Sequence, residues 1–305
     1  MIKSTLEKHE TILPVMALVL ATFFWGSSFI TVASALDYTN PLTLVMLRFS
    51  AGALLVAILL KGRLGGIPAK TWKAGAVCGF IIYLVYATNA IGLMTLQSST
   101  SGFLTALYVP ITPLMVWVVY GKPPTAGAII GVVLAFIGLI FLANPFTLSF
   151  SNNWGEWVTI MSAFLSAIEI MVVGRYAPGS QARQLAFAQL LFTGLFGAVG
   201  LGIATVAGVP LKDTVLNETL VFGVLWLATI VAFVQVLLSW AQRYVPAGRA
   251  AVIFAMESVF AAIIGWFAGE HLGIAGLIGG SLIVIGILCG ELRLPRRRTS
   301  KGDMQ

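Results

Sequence analysis

Charge is what this 305-residue chain has least of: 10% of its residues are charged, against about 25% in soluble domains, and 59% are hydrophobic. Such a chain cannot coat itself with a water-compatible surface, so its solvent must be lipid. Cysteine is nearly absent. Cys78 and Cys289 fall in apolar runs, where a thiol acts as a small buried hydrophobe rather than a disulfide partner or metal ligand. The only histidines, His9 and His271, sit at the edges of apolar runs, and no Asp lies inside one. An enzyme embedded in the membrane would need a nucleophile with its base, paired carboxylates or histidine ligands, so no catalytic residue, metal site or cofactor is expected.

What is present is a series of ten apolar runs, near residues 12–36, 42–60, 73–94, 98–120, 125–143, 154–175, 184–207, 220–241, 247–269 and 272–290. Each approaches the about 20 residues that cross about 30 Å of hydrocarbon as a helix. The runs are continuous and lack the alternation of a barrel wall. The first greatly exceeds the about 7–15 residues of a signal-peptide core, so Ala33-Ser34-Ala35 is not read as a cleavage site. The expected fold is an all-α integral membrane protein of ten transmembrane helices.

The net charge of +7 describes orientation rather than a nucleic-acid partner. With the N-terminus inside, the even connections and both tails carry sixteen of the eighteen bases, among them Lys61, Arg63, Lys122, Arg183, Arg243 and the tail Arg293, Arg296, Arg297, Arg298 and Lys301. The odd connections carry only Lys212, and Arg48 lies within a span. Both termini are therefore expected in the cytoplasm of a bacterial cell, with the protein multi-pass in its inner membrane.

The halves repeat. A shift of 148 residues lays Gly121, Gly131 and Gly138 on Gly269, Gly279 and Gly286, and a shift of 141 lays Leu44 on Leu185 and Arg48 on Gln189. Five spans per half force the second half, 151–305, to enter the membrane from the side opposite to the first, 1–150. Two inverted-topology five-helix repeats with a site between them are the architecture of alternating access.

The motifs Trp25-Gly26-Ser27-Ser28-Phe29, Arg48-Phe49, Gly102-Phe103-Leu104-Thr105 through Pro113, and Arg249-Ala250-Ala251 through Glu257-Ser258-Val259 and Gly265-Trp266 together resemble the EamA family of the drug/metabolite transporter superfamily. The likeness covers nearly the whole chain. It implies a five-plus-five basket of helices exporting amino acids or related metabolites, with the YddG-type aromatic amino acid exporters as the expected members. Two positions depart from the family pattern. Glu257-Ser258-Val259 stands where Glu-Pro-Val is usual, which removes the proline expected to kink span nine, and Gly121-Lys122 stands where Gly-Glu is usual.

Formal charge well inside the spans is limited to Arg48, Glu169 and Glu257, and each such charge costs at least about 2.5 kcal/mol on insertion scales. Arg48 has three readings: snorkelling to the outer interface, bonding to free carbonyls, or substrate contact. Glu257 has three as well: proton carrier, partner of a substrate ammonium, or structural hydrogen bond. Ser98, Ser101, Thr105, Tyr108 and Thr112 form one polar stripe on span four, whose Pro110 and Pro113 remove backbone bonds and predict a kink near mid-membrane. Thr159, Ser162, Ser166 and Glu169 form a second stripe, and Gln235, Ser239 and Gln242 a third. Asn89 adds an amide, and Trp25, Ser27, Tyr83, Tyr86, Phe254 and Trp240 add aromatic walls and a hydroxyl. The substrate-binding candidates are accordingly Trp25, Ser27, Tyr83, Tyr86, Asn89, Ser101, Thr105, Tyr108, Ser166, Glu169, Gln235, Phe254 and Glu257.

In this scheme Glu257 meets a substrate ammonium or holds an exchanged proton, and the hydroxyls of Ser101, Thr105 and Ser166 meet the carboxylate. Small-residue spacings at Gly75 and Gly79, Gly127 and Gly131, and Gly276 and Gly280 predict close helix contacts, those on spans five and ten leaving a homodimer seam open. A sugar-phosphate or nucleotide-sugar exchanger is the alternative within the superfamily, and a channel the alternative outside it. One interior Arg against two Glu suits a zwitterion or cation better than a phosphate.

Overall fold

The structure, a computed structural model, describes residues 2–61, 66–96, 98–121, 123–142, 154–267 and 273–291. The boundary between the expected halves, Arg63, Lys122, Gly269, His271 and the tail bases lie outside the described residues. Among these residues the chain is helical with no strand. The elements are α1 (Ile2–Leu36), α2 (Pro41–Leu59), α3 (Ala69–Gly92), α4 (Ser98–Thr105), α5 (Tyr108–Tyr120), α6 (Ala126–Leu142), α7 (Trp154–Tyr176), α8 (Ala182–Val206), α9 (Glu218–Ala241), α10 (Ala247–Phe254), α11 (Met256–Phe267) and α12 (Ile274–Glu291).

Local chemistry sets several of these boundaries. Asn40 and Asn217 cap α2 and α9 by accepting from the Thr43 and Leu220 amides, satisfying donors that a helix start leaves free. Gly121 ends α5 in the left-handed region at φ 65°, which costs glycine little and other residues more.

Eight stretches are long and apolar enough to cross a membrane, the α4–α5 and α10–α11 pairs contributing one each. Two shorter apolar helices, Ala126–Phe141 and Ile274–Cys289, rise about 24 Å, less than the hydrocarbon thickness, and both adjoin undescribed residues. Large apolar side chains point outward along the bundle, Val206 91% and Val118 83% exposed among them, as lipid-facing positions require.

Span four breaks between Thr105 and Tyr108, with Pro110 and Pro113 in the first two turns of α5. Span nine breaks as well, at Ala255, although no proline is there. The chain thus breaks here with Ser258 where the family pattern has its proline. The two breaks are alike in detail. The Leu107 amide donates to the Leu104 carbonyl and the Ala255 amide to the Val252 carbonyl, tight three-residue bonds separated by 148 positions.

Gly138 of α6 and Gly286 of α12 are used inside the chain. A Cβ on Gly138 would lie 2.6 Å from the Gly279 carbonyl oxygen, and one on Gly286 would lie 2.7 Å from that of Gly131. The two contacts are reciprocal, so one self-complementary seam holds α6 against α12. Gly131 is therefore occupied within the chain rather than free for a second copy.

Candidate functional site

One cavity of about 110 Å³ lies inside the bundle, walled by α1, α2, α3, α7, the end of α9 and the two helix breaks. Trp25, Tyr86, Tyr108 and Phe254 supply its aromatic surface, and Trp25 meets Phe254 edge-on at 5.4 Å between ring centroids. The Trp25-Gly26 motif has a local reason. A Cβ on Gly26 would lie 2.8 Å from the Glu257 carbonyl oxygen, so glycine lets α1 close onto the start of α11.

The polar groups converge at the breaks. Glu257 sits in the first turn of α11, where the helix dipole favours a negative charge, and Tyr108 opens α5. Glu169 lines the wall from α7, and its carboxyl meets the Gln235 amide of α9. Asn89 donates to the Thr105 hydroxyl at 2.8 Å, joining α3 to the end of α4. The Thr105 hydroxyl in turn donates to the Ser101 carbonyl at 2.8 Å, and Ser166 donates to the Ser162 carbonyl at 2.9 Å. Those hydroxyls thus turn lone pairs rather than protons toward a ligand.

Of the thirteen candidates, the structure brings Trp25, Tyr86, Asn89, Thr105, Tyr108, Ser166, Glu169, Phe254 and Glu257 to the cavity. It does not bring the other four. Ser27 turns away and donates to the Phe24 carbonyl at 2.7 Å. The Tyr83 hydroxyl rests against Gly200 of α8. Ser101 is fully buried with an unpartnered hydroxyl, and Gln235 lies behind Glu169. Trp240 stacks edge-on with Tyr244 instead of lining the site.

Several lining residues fall outside the candidate set, namely Arg48, Ser28, Ser162 and Gln242. Helical spacing contains the signal for Ser28: Trp25, Ser28 and Val32 fall on one face, whereas Ser27 is about 200° from Trp25.

A helical bundle with an apolar outer surface and an internal cavity, mainly apolar but bearing a few polar and charged groups, is what a multi-pass membrane protein presents. The model of the EamA-like transporter family matches residues 12–144 and again residues 153–289, and the chain belongs to this family. An uncharacterized transporter of Archaeoglobus fulgidus is 29% identical over 281 residues, covering 92% of this chain and 86% of the relative. A solved crystal structure superposes with a TM-score of 0.75 at 15% identity, covering 93% of this chain and 96% of that one, a likeness of fold. Family and relative are transporters, which points to translocation rather than catalysis.

Proposed function

We propose that the protein is a secondary transporter exporting small organic metabolites by alternating access, and that its substrates are amino acids with aromatic or other large apolar side chains, as in the YddG-type exporters. The observation that carries this reading is the cavity itself. Two carboxylates, Glu169 and Glu257, share it with four aromatic side chains at the junction of two broken helices. A neutral amino acid brings an ammonium, a carboxylate and a wide hydrophobic body, and this lining offers an acid for the first and flat apolar walls for the last.

The reading takes the chain as ten spans in two inverted five-helix halves, 1–150 and 151–305, with both termini cytoplasmic in a bacterial inner membrane. Support comes from the double match to one family model and from the equivalent breaks at Leu107 and Ala255. Helices interrupted at mid-membrane, at matching places in two halves, are where such carriers bind substrate. Movement of one half against the other would open the cavity to each side in turn. Protons are the proposed counter-substrate, carried at Glu257, and a homodimer is not required.

The test is a competition panel on purified protein, with Tyr108→Ala beside the parent. Tyr108→Ala is expected to weaken phenylalanine and tryptophan more than alanine and serine. Failure of every aromatic amino acid to compete with the parent protein would remove the substrate assignment.

A further inference from the structure

We infer that Arg48 is the group that recognises the carboxylate of the transported molecule, with the substrate lying between its guanidinium and Glu257; this rests on the transporter reading above. Arg48 is seven residues past the start of α2, about two turns, close enough for a snorkelling side chain to reach the interface. It does not do so. The side chain is 4% exposed and lines the cavity instead.

Nor do its enclosed donors serve the protein. Nε and Nη2 are buried without a hydrogen-bond partner. The contacts that hold the guanidinium are aromatic faces, with its central carbon 4.7 Å from the Tyr86 ring centre and 5.4 Å from that of Phe49. Phe49 and Tyr86 meet edge-on at 4.9 Å, which fixes this cradle. Glu257 is within electrostatic reach across the cavity but takes no hydrogen bond from Nε or Nη2. A buried cation with unpaired donors is an expensive arrangement unless an anion arrives to meet it.

The other polar groups of the wall leave few alternatives. A carboxylate only accepts hydrogen bonds. The hydroxyl protons of Ser28, Ser162, Ser166 and Thr105 are already given to the carbonyls of Trp25, Val85, Ser162 and Ser101. Ser101, expected to help bind the carboxylate, does not reach the cavity. Of the side-chain donors that remain on the wall, Arg48 alone carries charge, the others being the amides of Asn89 and Gln242 and the phenols of Tyr86 and Tyr108, while the Trp25 indole is given to the Tyr86 oxygen. A planar guanidinium resting on a ring keeps its N–H edge free for a carboxylate. Hydroxyl lone pairs and the two glutamates then suit the ammonium end.

The experiment is equilibrium binding to purified protein of L-phenylalanine, its amide, phenylacetate and glycerol phosphate, with parent, R48K and R48Q. Hydrogen bonds to a charged group translate into about 10- to 100-fold in affinity, so the parent should favour the acid over the amide by that margin. R48Q should erase the margin through loss of acid binding, leave the amide within about threefold, and R48K should keep part of it. An equal affinity of the parent for acid and amide overturns the inference, a comparison that stands even where R48Q does not fold. A preference for glycerol phosphate over every carboxylate overturns it too. Arg48-dependent binding of phenylacetate without any amino acid binding would uphold the anchor and sink the amino acid reading. If none of the probes binds, both fall.

Discussion

Replacing Gly138 or Gly286 by alanine adds one carbon where α6 and α12 touch. At Gly138 that carbon would stand 2.6 Å from a backbone oxygen and 2.9 Å from the Ile283 amide nitrogen; at Gly286 the distances are 2.7 Å to a backbone oxygen and 2.9 Å to the Ala135 amide nitrogen. Backbone atoms cannot rotate aside, so the helices must separate by several tenths of an ångström. Overpacking of this kind costs about 1–3 kcal/mol, and the better helix propensity of alanine returns at most about 1 kcal/mol. A net loss of up to about 2 kcal/mol follows for each single variant. Both substitutions open the same seam, so the double variant should lose less than the sum. Gly202, inside α8 with nothing within 4 Å of where a methyl group would stand, is the control: Gly202→Ala should be neutral or stabilising. The assay is reversible unfolding of the purified protein in mixed micelles with added denaturing detergent. Equal effects at Gly138 and Gly202 would refute the seam.

Asn40→Ala removes both the α2 cap and the bond from its amide to the Lys212 carbonyl at 3.1 Å, and should cost about 1–2 kcal/mol in the same assay. In a variant lacking Cys78 and Cys289, cysteines at Asp213 and Leu216 should label from outside the cell, and those at Gly179 and Arg243 only after permeabilisation; outside labelling at Gly179 would contradict the inverted arrangement. Glu257→Gln should abolish stimulation of uptake by an acid vesicle interior while exchange persists, because protons leaving the lumen drive substrate inward only through a carboxyl that can release them. Glu169, Arg48, Tyr86 and Tyr108 line the same cavity as Glu257.

The membrane class, the helices and most of the aromatic wall are legible in the sequence because lipid imposes continuous apolar runs, against which Glu169, Glu257 and Arg48 stand out. What the sequence hides has local causes. Trp25-Gly26-Ser27-Ser28 reads as a block, whereas a helix separates Ser27 from Ser28 by about 100°, enough to take one out of the cavity. Tyr83 and Tyr86 share a helix, but a glycine on α8 draws the hydroxyl of Tyr83 away. Span nine lacks the proline that would announce a break, yet the chain tightens at Ala255 without one. Hydroxyls on a polar stripe look like donors; on a helix they bond first to the carbonyl one turn back, which no spacing rule reveals. Arg48 has three readings in the sequence, and only its burial with Nε and Nη2 lacking hydrogen-bond partners separates them.

The central claim is that this cavity carries a substrate through the membrane by alternating exposure. Counterflow tests it most directly: purified protein in liposomes preloaded with unlabelled phenylalanine, then diluted into labelled phenylalanine. The account predicts transient accumulation of label above its equilibrium level, saturable with outside concentration, absent from unloaded vesicles and reduced by Tyr108→Ala. Flux of phenylalanine that rises linearly with concentration and is indifferent to preloading would contradict a carrier and leave a channel.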